Sequence, residues 1–287
     1  MTGSSEVGAA AGSAGSQLRS DVPEFAVDWE ARIFVLSSVL QARGVLTERE
    51  LREAQERGDG RASAHERLMD ALAGLLVERG VIGAAESQRA GAIRPAENAA
   101  EAAAQKVRHL ESLLEYRGVV RSEEVDAVID TVLVPAAPPR GFAIVARAWV
   151  DEEFRARLLD DAGQALAELG IADLGEQLAL RVVENSESVH NVVVCAPDAR
   201  YPIALLGPSP SWYKSAVQRT RLARQPQAVL SEFGLALASG VEARVWESSP
   251  ALRYMVLPRR PDGAEGMTEE QLAGIVTRAG LIGAAAV

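Results

Sequence analysis

The hydrophobic pattern of this chain changes character once, at the proline-rich segment from Pro135 to Gly141 (PAAPPRG). Before that segment, apolar residues recur every three or four positions, which is the spacing of the buried face of an α-helix. After it, one long helical pattern is followed by short apolar runs, rich in valine and isoleucine and bounded by glycine or proline, which are typical of β-strands. The sequence therefore predicts an α+β protein, with a helical N-terminal part before a sandwich of helices and strands.

Three predicted helices of the N-terminal part end on the same tripeptide. Arg-Gly-Val occurs at positions 43, 79 and 117, so the spacings are 36 and 38 residues. Such spacings are typical of helical repeats. An arginine near a helix C-terminus and a glycine just beyond it are favoured at any helix end, however, and nothing after Pro135 continues the period. We therefore interpret the tripeptides as helix-end signals and not as a repeat.

The individual elements follow from the same patterns. Helices are predicted over residues 28–43, about 63–80, about 106–116, 122–132, 151–169 and about 214–233. Thr47 with Glu50, and Thr268 with Gln271, are capping boxes that begin two further helices. Strands are predicted over residues 178–183, 189–195, 203–206, 241–246 and 252–257.

Charge and composition exclude several classes of protein. The net charge of −10 argues against a nucleic-acid partner, which needs a basic face. No run of 18 apolar residues occurs, so no membrane span is predicted. The single cysteine, Cys195, excludes an internal disulfide and favours a reducing, cytoplasmic compartment. Residues 1–22 lack the basic start and apolar core of a signal peptide and are predicted to be a disordered tail.

Four segments after Pro135 resemble one known family. They are ARAWVDEEFRARLLDDAGQALAELG, RVVENSESVHNVVVC, PSWYKSAVQRTRLARQP and RYMVLPRRPDGAEGMTEEQLAGIVTRAGLIG. In order and in spacing they are similar to the α subunit of nitrile hydratase, and the similarity extends from about Arg108 to the end. Upstream, DWEARIFVLSSVL and LMDALAGLLVERGVI resemble the helical N-terminal half of the β subunit. The chain thus looks like a fusion of β-type and α-type segments.

The resemblance implies a fold, a domain plan and partners. It implies an α-β-β-α layered sandwich of the α-subunit type for the C-terminal part. The related thiocyanate hydrolases and some three-chain nitrile hydratases carry the barrel-like half of the β subunit as a separate chain. A separate β-barrel partner subunit, or a homo-oligomer, is therefore expected. The predicted domains are a tail (1–22), a β-subunit-like helical module (23–86), a linker (87–105), a helical arm (106–148) and the α-subunit-like sandwich (149–287).

The metal site of the family is altered in this sequence. Family members hold low-spin iron or cobalt in a C-x-x-C-S-C claw after the second strand, through three thiolates and two backbone amides. In the same register this chain has CAPDAR: Cys195 keeps the first position, Asp198 and Arg200 replace the other cysteines, and Ala199 replaces the serine. One thiolate and one carboxylate do not reproduce that ligand field, and an arginine repels a cation. We therefore predict a degenerate claw without a metal cofactor.

Two interpretations of the altered claw remain open. Asp198 and Cys195 with a third donor would suit zinc or iron in a simpler geometry. A charge pair between Asp198 and Arg200 would instead fill the place of the metal, and we favour this pair. Other positions of the family's pocket change as well. Ala64 stands at the active-site tyrosine, Leu68 at an aromatic residue one turn later, and Ile203 at a tryptophan.

Four residues are catalytic candidates: Cys195, Asp198, Arg200 and His65. Cys195 would be a nucleophile if His190 activated it. We favour a buried strand-end thiol, because residues five apart in a strand face opposite sides. His65 would be a general base, but the sequence shows no carboxylate partner, so a partly exposed helix residue is favoured.

Five residues are candidates for a substrate pocket. Glu176 and Gln177 fall where the family has a polar pocket residue. Trp212, Tyr213 and Lys214 belong to a pocket wall or a subunit contact, and a structural role is favoured. The basic run from Lys214 to Arg224 is interpreted as a solvated helix face with salt bridges.

Three functions follow from these observations. The favoured one is a pseudoenzyme, a non-catalytic binding or scaffold component of a biosynthetic assembly. The segment from Val145 to Cys195 resembles nitrile-hydratase-type leaders of ribosomal peptide natural products, which suggests a peptide or small-molecule ligand. No Ser/Thr/Cys-rich core peptide follows, so a precursor is disfavoured. The alternative is an enzyme of metal-free or different-metal hydration, hydrolysis or dehydration; an ordinary nitrile hydratase is disfavoured because the ligands are lost.

Overall fold

The structure is a computed structural model, and it describes residues 25, 27–89, 98–171, 179–196, 199, 201–213 and 215–286. The chain divides into two compact units, Met1–Ala137 and Pro138–Val287. Within the described residues, no single helix is long and apolar enough to cross a bilayer. The predicted tail lies outside these residues, and the five predicted domain boundaries stay predictions.

The first unit is helical throughout its described part. Its helices are α1 (Asp28–Ala42), α2 (Glu48–Glu56), α3 (Ala64–Glu78), α4 (Ala84–Gln88), α5 (Ala99–Tyr116), α6 (Ser122–Val128), a π-helical turn (Ile129–Leu133) and α7 (Val134–Ala136). The capping box of Thr47 and Glu50 is confirmed. Helix α5 begins earlier than the predicted position near Lys106. The alanine-rich segment favours a helix, and the Asn98 side chain caps it by accepting a hydrogen bond from the Glu101 amide.

Three long helices, α1, α3 and α5, contact one another pairwise and enclose the core of this unit. Each of them buries one face completely, because leucine and other aliphatic residues recur on it at helical spacing. Leu36, Leu72 and Leu110, for example, are 1%, 0% and 4% exposed. Burial of each such side chain contributes about 1.5–3 kcal/mol to folding.

One arginine is buried beside this core. Arg32 on α1 is 4% exposed, and its guanidinium binds the carboxylates of Glu111 on α5 and Asp126 on α6. The Nε of Arg32 donates to Glu111 at 3.1 Å, and Nη1 donates to Asp126 at 3.3 Å. Burial acts to lower the pKa of Arg32, but the carboxylates outweigh it and raise that pKa above its usual value. The charge is therefore compensated, and it joins three helices.

The second unit combines helices with two small sheets. Its elements are α8 (Arg140–Val150), α9 (Glu152–Asp160), α10 (Ala162–Glu168), β1 (Ala179–Glu184), β2 (Val189–Cys195), α11 (Ile203–Leu206), α12 (Ala216–Arg224), α13 (Pro226–Glu232), β3 (Glu242–Ser248), β4 (Leu252–Leu257), α14 (Glu269–Ala273) and α15 (Arg278–Leu281). Strand β1 pairs with β4 and β2 pairs with β3, both in parallel. The predicted α+β class is confirmed.

Three predicted elements of this unit differ in the structure. The helix predicted over 151–169 is two helices, because Asp161 has an extended backbone and its side chain caps α10. The helix predicted over 214–233 is likewise interrupted before Pro226, which has no amide hydrogen to continue the hydrogen-bond ladder. Residues 203–206 form a short helix and not a strand, between Pro202 and Gly207, whose φ is 73°. An apolar run of four does not distinguish the two structures.

We expect Arg32→Ala to lower the free energy of unfolding by about 3–5 kcal/mol, because Glu111 would remain buried without its cation and the half-buried Asp126 would lose an ion pair. Urea denaturation followed by circular dichroism measures this change. The matched control is Arg52→Ala, which removes an exposed ion pair with Glu48 on α2. It should cost less than about 0.5 kcal/mol. Equal losses in the two variants would contradict the structural role of Arg32.

Candidate functional site

Parallel strands place the candidate site at one edge of the second unit. Strands β2 and β3 end together, with Cys195 opposite Ser248, and the Ala196 amide donates to the Ser248 carbonyl at 2.9 Å. The carboxyl ends of parallel strands are where α/β proteins most often place their ligands. The segment that resembles the metal claw starts here. Within it, Asp198 and Arg200 lie outside the described residues, so their charge pair stays a prediction.

Cys195 is a buried thiol at the end of its strand, as predicted. Its side chain is 1% exposed, and Sγ lies 3.5 Å from the Ala199 carbonyl, to which it donates. The Arg219 Nη1 donates to the Cys195 carbonyl at 3.3 Å and so fixes the strand end from the side of α12. A thiol buried in this way reacts slowly, because reagents cannot reach it and a thiolate would lose its hydration.

His190 lies on the same strand but has its own partners. Its Nε2 is 2.8 Å from the Gly283 carbonyl, and its Nδ1 is 3.2 Å from the Asn185 side-chain amide. Burial lowers the pKa of His190, although the hydrogen bond to Gly283 acts to raise it. This histidine therefore ties the C-terminal segment to β2, which is a structural role.

Aromatic side chains pack beneath this edge. Tyr213 is 2% exposed, its ring lies edge-on to Tyr201 with centroids 4.9 Å apart, and its hydroxyl is hydrogen-bonded to Ser248. Burial raises the pKa of Tyr213 well above its ordinary value. Trp212 stacks on Phe233 at 4.7 Å. These contacts support the favoured structural role of Trp212 and Tyr213, whereas Lys214 lies outside the described residues.

The sequence did not single out Tyr201, Ser248 or Arg253. Arg253 on β4 is 3% exposed, and its charge acts on the Tyr213 hydroxyl. The only signal for it was a charged residue inside the apolar run of β4. Ser248 carried no signal, because only the register of β2 against β3 brings it to Cys195. The pocket candidates Glu176 and Gln177 lie outside the described residues.

A groove opens beside the same edge, between α12 and the ends of β2 and β3. It is lined by Val194, Arg219, Thr220, Ala223, Arg224, Val245 and Glu247. Arg219 contacts Glu247 at 3.5 Å, and outside the groove Arg221 pairs with Glu232 at 2.5 Å. Salt bridges were expected on this basic helix. The groove combines apolar residues with two arginines and one glutamate, and one of the arginines, Arg219, is already paired with that glutamate.

His65 has a carboxylate partner, contrary to our expectation. Its Nδ1 lies 3.6 Å from Glu30 Oε1, and both side chains are mostly buried. The ring is packed by Phe25 at 5.6 Å and edge-on by Trp29 at 6.4 Å. Glu30 is distant in sequence and reaches His65 only because α1 packs on α3. A carboxylate at this distance can orient an imidazole, which is the arrangement of many catalytic histidines.

The metal claw that the resemblance implies requires three thiolates as donors. No group of three or more histidine, cysteine, aspartate or glutamate side chains is placed to hold an ion in the part of the chain that the structure describes. The chain has one cysteine in total. It therefore supplies at most one thiolate of the three that the resemblance implies.

Two family models match the chain. The model of the nitrile hydratase alpha chain matches residues 100–285. The model of the N-terminal part of the nitrile hydratase beta subunit matches residues 1–109. The two matches meet within α5, so no further beta-subunit segment lies between them.

Individual relatives and structures agree with these matches. The chain is 44% identical over 185 residues to a nitrile hydratase subunit alpha of Rhodococcus sp, which covers 64% of this chain and 92% of the relative. It is 45% identical to a low-molecular weight cobalt-containing subunit alpha of Rhodococcus rhodochrous, over 64% of this chain and 88% of the relative. A structure of a double mutant of the Fe-type enzyme from Comamonas testosteroni has a TM-score of 0.50 at 34% identity, over 67% of this chain and 92% of that chain.

We expect Cys195 of the native protein to react with a thiol reagent at least ~10-fold more slowly than in urea, because the side chain is buried and bonded to the Ala199 carbonyl. Release of thionitrobenzoate from Ellman's reagent measures the rate. Since the chain has a single cysteine, the signal is unambiguous. A native rate equal to the rate in urea would show an accessible, activated thiol and return Cys195 to the catalytic candidates.

Proposed function

Since this chain belongs to the nitrile hydratase family, we propose that it is a family member without the metal centre that serves as a binding or scaffold component of a biosynthetic assembly. The observation that carries the proposal is the single cysteine, Cys195. A claw of three thiolates cannot be assembled from this chain. Soft sulfur donors hold a trivalent, low-spin ion, and the residues present do not fit such a group.

The surroundings of Cys195 support the same proposal. Its thiol is used in a hydrogen bond to the Ala199 carbonyl and is closed off from solvent. Ala64, at the tyrosine position of the resemblance, begins α3 and offers no polar group. Scaffold residues such as Tyr213 meanwhile make tight contacts. When the residues at the catalytic positions have changed but the surrounding fold is kept, a binding function is expected in place of catalysis.

The ligand in this proposal is a small molecule or peptide that presents an anionic group. The groove beside Cys195 supports this choice, because its two arginines, Arg219 and Arg224, outnumber its one acid, Glu247, and Val194 and Val245 offer apolar contacts. We further propose that the chain works with a separate subunit of the β-barrel type or as a homo-oligomer. The supporting observation is that the alpha-chain match, which starts at residue 100, overlaps the end of the N-terminal beta match at residue 109, so no barrel-like beta segment lies between them.

A second candidate function rests on His65 and Glu30. The imidazole and carboxylate lie 3.6 Å apart in an aromatic setting, which suits a general base for a metal-free hydration, hydrolysis or dehydration. Within the described residues the buried Nε1 of Trp29 has no hydrogen-bond partner, so one donor beside this pair is available to a ligand. This candidate is retained as the alternative to the scaffold proposal.

We expect the protein purified from cells grown with added cobalt and iron to contain less than ~0.1 equivalent of either metal, because two of the three thiolates are replaced. Elemental analysis by inductively coupled plasma mass spectrometry measures this content. The cobalt-containing relative from Rhodococcus rhodochrous, expressed in parallel, controls for metal supply. About one equivalent of cobalt or iron in this chain would overturn the proposed loss of the metal centre.

The alternative function makes a separate prediction. If His65 is a general base, His65→Gln should lower the turnover of a hydratable substrate by ~10²-fold or more. Glu30→Gln should lower it less, because the imidazole remains. The matched control is His109→Gln, since His109 contacts only the Glu86 carbonyl among the described residues. Turnover that is unchanged in His65→Gln would eliminate this alternative.

A further inference from the structure

The three Arg-Gly-Val tripeptides, which we interpreted from the sequence alone as helix-end signals and not as a repeat, are parts of a longer shared segment. Residues 43–50 are RGVLTERE, residues 79–86 are RGVIGAAE and residues 117–124 are RGVVRSEE. All three have the pattern Arg-Gly-Val-aliphatic, then three variable residues, then Glu. Each follows a long helix (α1, α3 or α5) and enters a short one (α2, α4 or α6). A helix end by itself explains the arginine and the glycine, but it does not explain a glutamate seven positions after the arginine.

The three octapeptides also have the same local structure. The glycine is left-handed in each, with φ of 68°, 68° and 66° at Gly44, Gly80 and Gly118. The valine amide that follows donates to a leucine carbonyl of the preceding helix at 2.9 Å in all three cases. The next aliphatic residue is buried each time: Leu46, Ile82 and Val120 are 1%, 2% and 2% exposed. The glutamate is the third residue of the short helix in each copy.

Equivalent core positions extend the agreement into the long helices. At the offsets of 36 and 38 residues, each long helix buries aliphatic residues in the same three places. These are Ile33, Met69 and Val107, then Leu36, Leu72 and Leu110, and then Leu40, Leu76 and Leu114, all 4% exposed or less. The offsets of 36 and 38 residues therefore relate both the buried positions of the long helices and the turns that follow these helices.

The charged ends of the octapeptides are paired in a cycle. Arg79 binds Glu50 of the preceding copy, and its Nη1 donates to the Val45 carbonyl at 2.6 Å. Arg117 binds both oxygens of Glu86 at 2.9 Å. Arg43 closes the cycle by binding both carboxylate oxygens of Glu124 at 3.0 and 2.6 Å, and its Nη1 donates to the Val119 carbonyl. Each arginine thus reaches the copy before it, and the first reaches the last.

We infer that residues 28–128 are three copies of one helix–turn–helix module, closed head to tail into a ring, and that each module junction is a docking surface for the next module. The module ranges are 28–56, 64–88 and 99–128. The beta-subunit family model covers the first two and the third as far as residue 109, and the alpha-chain model covers the third from residue 100. Two of the three junctions therefore join β-type to α-type sequence, and they use the same arginine-to-glutamate contact as the junction inside the β-type part.

The ring also identifies the occupant of that surface. In a head-to-tail arrangement, the last copy either leaves a junction open for another copy or contacts the first copy. Here the third copy contacts the first, so the arrangement is closed. In this chain the third position is filled by residues 99–128 of the same molecule. A partner subunit must consequently bind elsewhere, because the β-type modules have no open junction. This inference is independent of the proposed loss of the metal centre.

An exchange of octapeptides within the full chain tests the equivalence of the modules. With residues 43–50 and 117–124 exchanged, we expect a cooperative thermal transition within about 5 °C of the wild type, because the register of arginine, valine and glutamate is preserved. The matched control has the same composition but a shifted glutamate, Arg49→Glu with Glu50→Arg. It should lower the Tm by more than the exchange does, since Arg79 would face an arginine. A control that is more stable than the exchange variant would overturn the inference.

Charge reversal tests the order of the cycle. Arg79→Glu should lower the Tm by several degrees, on the scale of about 2–4 °C per kcal/mol expected for a chain of this size. Adding Glu50→Arg should restore most of the loss. Adding Glu86→Arg instead, the glutamate of the same module, should lower the Tm further because Arg117 also loses its partner. Equal rescue by both partners, or no effect of the first change, would refute head-to-tail pairing.

Cleavage of the full chain tests the docking surface itself. A site-specific protease sequence placed between Arg89 and Asn98 would allow the folded protein to be cut after purification. The two fragments should co-elute in size-exclusion chromatography, because the ring and the buried Arg32 contacts hold the modules together. In a cut chain carrying Arg43→Glu and Arg117→Glu, the fragments should separate at a lower urea concentration than in the cut wild type, because both junctions would be repulsive while the apolar core and Arg32 still hold the parts together. An equal urea dependence of the two cut chains would also contradict the docking surface. Separation of the wild-type fragments would overturn the docking surface.

Discussion

A buried arginine sets the arrangement of the helical unit. Arg32 has lost nearly all contact with water, so its guanidinium must find compensation inside the protein, and it finds Glu111 and Asp126. Those carboxylates belong to α5 and α6, whereas Arg32 belongs to α1. An uncompensated buried charge is so costly that alternative packings of these helices are strongly disfavoured. The interaction therefore ties the part matched by the beta-subunit model to the part matched by the alpha-chain model.

The arginine–glutamate cycle acts around the same core but by a different physical principle. Two of its pairs, Arg79–Glu50 and Arg117–Glu86, are partly exposed, so each contributes little free energy and mainly fixes which helix end meets which. In the third pair Glu124 is 1% exposed, so Arg43 also compensates a buried carboxylate. Hydrophobic burial along α1, α3 and α5 supplies most of the stabilisation, because these helices bury equivalent aliphatic positions. Apolar contacts alone would allow several registers, and the directional guanidinium–carboxylate contacts select one of them.

In the second unit, the parallel pairing of β2 and β3 has the corresponding role. It brings Cys195 and Ser248 to one edge, and Tyr213 is bonded to Ser248 beneath it. The edge is therefore a well-packed platform whatever chemistry the following loop provides. The segment after Cys195 resembles the metal claw of the family. Because the packed edge does not depend on that segment, the sequence of the segment can change while the edge is kept. This independence is the physical basis for proposing binding in place of catalysis.

The sequence by itself determined the α+β class, the family, the capping box at Thr47 and the burial of Cys195. These features follow from local periodicity, from local hydrogen bonds and from the segments that resemble the nitrile hydratase subunits. It also predicted a strand at residues 203–206, which is a helix, since a short apolar run is locally ambiguous. Only the tertiary structure decided that Glu30 lies beside His65, that Ser248 lies opposite Cys195, and that Arg43 reaches Glu124. Each of these pairs joins residues far apart along the chain. Their proximity depends on how helices and strands pack, which no local pattern encodes.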